Sequence, residues 1–155
     1  MSNYFEKYAL KGNEFLQLLA VELGKEGDLH TTARILRNTL HVLRDHLTVE
    51  ESLQMISQLP LMIKGVYVEG CKAPKKPLRI KHVETLVSEW MKKEGASVAA
   101  HDVINEAGAR HAIRCVFKVV NNYVSDGELR DIAGTLPKEL KLFFESILEE
   151  KDRVI

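Results

Sequence analysis

Cysteine is scarce. Cys71 and Cys115 are too few to staple a fold and lack the Cys-x-x-Cys spacing of a metal or redox pair. Two free thiols in a reducing compartment are therefore expected. Long apolar runs are missing too: nothing approaches the ~18 residues of a membrane span. The stretch from Met1 to Tyr8 lacks the apolar core of a signal peptide, so a cytoplasmic location is expected. Nor is there an excess of either charge, since 22 Lys+Arg balance 22 Asp+Glu. Without a global field the chain has nothing to hold a nucleic acid or an anionic membrane except a local patch. Neutrality also removes one barrier to self-association. No segment alternates apolar and polar residues with period two, which excludes a sheet-based fold.

What is present is helical periodicity in a chain of 155 residues, 45% of them apolar. That length buries a core without disulfide or metal. Leu10 to Gly27 places Phe15, Leu18, Leu19 and Leu23 on one stripe and stops at Gly24 and Gly27. From Asp28, an N-cap type, to Leu47 the ridge Leu36, Leu40, Leu43, Leu47 gives the strongest amphipathic pattern in the chain. Thr48 followed by Glu51 reads as a capping box for a short helix. Leu59-Pro60 then makes a corner, with Pro60 at the first position of a helix reaching about Glu69. Residues 71–80 hold Pro74 and Pro77 and only positive charges, and form the one linker. Helices are expected again from Lys81 to Glu94 and from Asn105 to Val124. A short extra turn or helix is expected over Ser97–Ile104. Ser125 with Glu128 repeats the capping box, Leu136-Pro137 repeats the corner, and Pro137 to about Glu150 closes the chain.

The second half thus rewrites the first. Residues 28–69 align with 105–146 at a constant offset of 77. Phe15–Gly27 aligns with Val83–Gly95 at an offset of 68, and Ala96–Ile104 accounts for the difference. Identities are few (Arg37/Arg114, Glu51/Glu128, Leu59/Leu136, Pro60/Pro137, Lys64/Lys141), whereas apolar positions match throughout. Two repeats are fewer than a solenoid needs. The expected fold is all-α: duplicated halves, 1–70 and 81–155, of about four helices each, packed face to face as one bundle-like domain.

The run Leu40 to Ser52 (LHVLRDHLTVEES), followed by Gln58 to Gly70 (QLPLMIKGVYVEG), resembles the bacterial DUF2267 family, as does Gly127-Glu128 with Leu136-Pro137. The resemblance covers nearly the whole chain. It implies a small all-helical protein with duplicated halves, and it carries no established activity, cofactor or catalytic residue. Where the family usually has Trp after its Tyr-x-x-Gly run, Cys71 stands here.

Candidate chemistry is sparse. Glu51 and Glu128 are accounted for as capping carboxylates. Arg37 and Arg114, kept by the duplication, are either struts to a carboxylate or helix end or members of a groove between the repeats with Lys64 and Tyr67. His41, Asp45 and His46 lack metal-ligand spacing and a third ligand, and an exposed helix face is expected there. Their counterparts are Lys118, Asn122 and Tyr123. His101, His111 and Cys115 make a weaker cluster. Lys72, Lys75, Lys76, Arg79 and Lys81 form the best basic patch, but without the interleaved aromatics of a single-strand binder. A nucleic-acid partner is accordingly not expected. Leu61, Met62, Ile63, Val66, Tyr67 and Val68 put apolar residues on more than one face of a short helix, which is either buried between the halves or part of a contact surface. With no catalytic constellation and no cofactor motif, the expected function is a non-enzymatic interaction module, through a protein partner or self-association. The alternative is a small-molecule or lipid binder using the groove between the repeats.

Overall fold

The computed structural model describes residues 3–71, 82–94 and 105–153. Most of the linker, with the basic residues from Lys72 to Lys81, and the insertion Ala96–Ile104 lie outside them. The described residues hold eight helices and no strand. In chain order these are α1 (Glu6–Leu23), α2 (Leu29–Asp45), α3 (Val49–Ile56), α4 (Leu61–Val68), α5 (Val83–Glu94), α6 (Glu106–Val120), α7 (Asp126–Gly134) and α8 (Lys138–Arg153).

Local chemistry sets the boundaries. Asp28, Thr48, Asn105 and Ser125 each accept, through a side-chain oxygen, from the backbone N–H three residues on, satisfying one of the donors that every helix start leaves open. The first helix begins a turn earlier than the apolar stripe suggests, because Asn3 supplies acceptors to the N–H groups of Phe5 and Glu6. It ends at Gly24, whose φ of +69° is the left-handed conformation of a helix C-cap. Pro60 sits one position before the place expected for it, as the N-cap of α4, with its carbonyl accepting from Ile63 and Lys64. A carboxylate from another helix caps α5: Glu139 of α8 accepts from the Val83 N–H at 2.8 Å and from His82 at 2.9 Å. These two bonds, the His82 one first, hold the Glu139 carboxyl below the usual carboxylate range.

The apolar stripes then choose partners. Helix α1 packs on α2 and α4, and α5 packs on α6 and α8. Across the molecule α1 also packs on α6, α5 on α2, α2 on α6 and α3 on α7. Phe15, Leu19, Ile35, Leu40, Trp90, Ile113, Leu129 and Ile147 are buried where these faces meet. Polar contacts tie the crossing helices. Asn38 Nδ2 donates to the Trp90 carbonyl at 2.9 Å, and Cys115 Sγ donates to the Glu22 carbonyl at 3.5 Å. The Trp90 indole N–H donates in turn to Thr39 Oγ1 at 2.9 Å, so the ring is buried with its polar edge satisfied. At the α3–α7 crossing Gln58 Oε1 accepts from the Ser125 N–H, and Thr135 Oγ1 donates to Glu51 Oε2.

The caps carry a direct test. Thr48→Ala and Ser125→Ala should each lower unfolding free energy by about 1 kcal/mol in urea titrations. No loss at either position would contradict the assignment.

Candidate functional site

The Leu59-Pro60 corner sends α4 across α1 and α2. Ile63 and Tyr67 point into the core, Val66 is half-buried, and Leu61, Met62, Gly65 and Val68 face solvent. This helix is therefore not buried between the halves: it contacts α1 and α2, and α2 covers only its inner side.

Three polar side chains of α2 fasten the far end of α4. His41 Nε2 donates to the Val66 carbonyl at 2.7 Å. Arg44 Nη1 donates to the carbonyls of Tyr67 at 2.8 Å and Glu69 at 2.9 Å. A cation on the last carbonyls of a helix satisfies groups that have no intrahelical donor and complements the helix dipole. Arg37 Nη2 lies 3.0 Å from Glu69 Oε2. Burial pushes His41 below its usual pKa of 6.5, against the opposing pull of the Val66 hydrogen bond.

The Arg37 contact has a counterpart in the second half. Arg114 Nη1 donates to Ser146 Oγ at 3.3 Å, and its guanidinium lies 5.6 Å from the Phe143 ring centre. Glu69 and Ser146 occupy matching positions at the offset of 77. Both arginines thus run from the second helix of a half to its fourth. They do not share a groove. Arg37 lines a cleft of about 220 Å³ among α1, α2 and α4, with Gly12, Asn13, Leu16, Met62 and Val66. Arg114 lines a separate recess of about 410 Å³ between α5 and α6, with Glu84, Arg110 and His111. Where the halves meet, apolar side chains such as Leu47, Phe117, Ile132 and Phe144 surround a void of only about 30 Å³. Lys64 is half-buried on α4.

The face expected to be exposed at His41, Asp45 and His46 is not an exposed face. Asp45 pairs with Lys93 at 2.9 Å. His46 is only 4% exposed and lies with Nε2 3.7 Å from Glu89 Oε2. The reason is local: α2 ends at Asp45, so His46 no longer follows the helical wheel and its ring turns inward. Cys115 is buried beside His111, with Sγ 3.4 Å from Nε2. Its thiol ties α6 to the Glu22 carbonyl, and it does not line the recess beside it. Among the described residues no group of three or more His, Cys, Asp or Glu could hold a metal ion, and no helix is long and apolar enough to cross a membrane.

Gly12 is a site residue that sequence reasoning missed. A Cβ there would lie 2.8 Å from Met62 Cβ, so only glycine lets α4 approach this closely. An isolated glycine inside a helical pattern, costly relative to alanine, was the available signal.

Tyr67 is only 1% exposed, and its hydroxyl shares a hydrogen bond with Ser52 Oγ. Burial outweighs the opposing pulls of Ser52 and Arg44, and its pKa is pushed up from 10.0 to about 12. The folded chain holds this proton more tightly than the unfolded chain. Its stabilising contribution is therefore complete below pH 10 and lost as pH rises through about 12. Tyr67→Phe should shrink the alkaline fall of stability in that interval, measured by urea titration at several pH values. An unchanged slope would contradict this account.

A search of curated proteins finds no match. Residues 12–143 match the model of the family described as an uncharacterized conserved protein, DUF2267, and the chain belongs to that family.

Proposed function

We propose that this protein is a non-enzymatic interaction module that self-associates through the outward face of α4. The observation that carries the reading is a contrast between α4 and α8. On α4 the solvent-facing positions are Leu61, Met62, Gly65 and Val68, with the three apolar side chains about half exposed (49%, 49% and 50%). The same positions on α8, at the offset of 77, are Lys138, Glu139, Leu142 and Glu145: three charged side chains, one of them the cap of α5, and a single exposed leucine. A helix that meets only water gains nothing from Leu, Met and Val in place of Lys and Glu. The formal net charge of +0 adds no repulsion between copies.

Eight helical residues span roughly 12 Å. A stripe that short fits a weak, reversible contact rather than a standard stable interface of about 800 Å² per partner. The apolar face can be replaced without touching the core. Leu61→Lys combined with Val68→Glu installs the residues that α8 carries at these positions. Sedimentation velocity should show concentration-dependent association in the wild type and a monomer in the double variant, with unchanged far-ultraviolet circular dichroism. A wild type that stays monomeric at the highest soluble concentration, or a variant that associates equally, would overturn the reading.

A further inference from the structure

We propose that the cleft among α1, α2 and α4 is a binding site for a short unbranched carboxylate, with its hydrocarbon tail in the cleft and its head on the Arg37 guanidinium. The cleft shares only Met62 with the outward face of α4, and this proposal does not rest on self-association. Its walls are almost entirely hydrocarbon: Leu36 and Ile63 at the base, Leu16, Met62 and Val66 above them. The close approach of Gly12 to Met62 sets one wall by backbone rather than by a side chain. Only Asn13 and Arg37 bring polar groups to the lining. An apolar recess with a few convergent polar groups is the ordinary form of a small-molecule site, apolar surface binding the body and polar groups fixing its orientation.

Size and charge narrow the ligand. The cleft, about 220 Å³, is smaller than the ~300–1,000 Å³ pockets of drug-sized ligands, so a short tail of about six to eight carbons is the matching size. The charge at the cleft is that of Arg37. Its recorded ion pair, Nη2 to Glu69 Oε2, leaves donors over, because a guanidinium carries five N–H groups in a planar fork. Both partners are more than half exposed (57% and 55%), so the pair is solvent-screened and weakly held. A ligand carboxylate can therefore take the fork in the bidentate geometry that arginine favours. Ala33 and Leu16 of the cleft match Arg110 and Glu84 in the second half. The recess there is correspondingly charged, so the two do not share a ligand class.

The probe is sodium octanoate, added to the full chain and followed by amide chemical shifts. Two controls separate tail from head: 1-octanol has the tail without the charge, and acetate has the head without the tail. With about ten non-hydrogen atoms, octanoate should bind with a Kd on the order of 1 mM, shifting Gly12, Met62 and Val66 before other residues. Arg37→Gln should weaken octanoate about tenfold and leave octanol unchanged. Glu69→Gln removes the competing carboxylate and should tighten octanoate about two- to fivefold. Ala9→Leu, at an exposed position on the cleft wall, should weaken both tail-bearing probes while the fold, read by circular dichroism, stays intact. The proposal is overturned if octanoate shifts nothing near Gly12, if acetate binds as well as octanoate, or if Arg37→Gln leaves its affinity unchanged. None of these variants alters Leu61 or Val68, so failure here and failure of the self-association reading are told apart.

Discussion

A side chain from one helix reaching the backbone carbonyl of a helix that crosses it is the contact on which the arrangement turns. Between the N-terminal and C-terminal helices it is made by Asn38 to Trp90 and by Cys115 to Glu22. Asn38 and Cys115 are 77 apart, and Glu22 and Trp90 are 68 apart, the two offsets of the sequence repeat. A helix carbonyl facing an apolar neighbour needs a partner or pays a desolvation penalty. A donor at this position therefore fixes both the rotation and the height of the crossing helix. Around it α1 lies on α6 and α5 lies on α2. Each half thus covers its core with the first helix of the other as well as with its own. This exchange, together with the Gln58–Ser125 and Thr135–Glu51 contacts, interlocks the N-terminal and C-terminal helices around one core.

Interlocking also explains where a site can be. The region between the halves is occupied by side chains from α2, α3, α5, α6, α7 and α8, and holds little empty volume. Open space lies instead in the cleft among α1, α2 and α4, which Arg37 lines, and in the recess between α5 and α6, which Arg114 lines. In each half the arginine of the second helix reaches the fourth. The halves share this framework and differ in what it displays. The first half shows hydrocarbon at Leu61, Met62 and Val68; the second shows Lys138, Glu139 and Glu145 around Leu142. The proposed contact face and the proposed cleft therefore both concern α4.

Much of this was legible in the residues because the governing physics is local. Caps at Asp28, Thr48, Asn105 and Ser125, the stop at Gly24 and the corner at Pro60 each depend on a few neighbouring atoms, and the residue types announce them. The ridges identified buried positions such as Leu36, Leu40 and Ile113. Pairing of helices was not legible, since one apolar stripe fits another and only a tertiary contact such as Asn38–Trp90 selects between them. His46 was misread because a wheel drawn through it assumes a helix that has already ended at Asp45. The groove expected around Arg37 and Arg114 rested on a face-to-face picture. In the structure these arginines line separate recesses, each belonging to its own half.

Cooperative unfolding tests the interlocked arrangement most directly. The chain has one tryptophan, Trp90, fully buried where α5 meets α2. Its fluorescence therefore reports the crossing between halves, while far-ultraviolet circular dichroism reports all the helices. Urea titrations followed by both signals on the same sample should give one coincident transition, because neither half keeps a covered core when the other opens. A Trp90 transition at lower urea than the loss of helix, or two steps in the circular dichroism, would show halves that fold independently and would contradict the account.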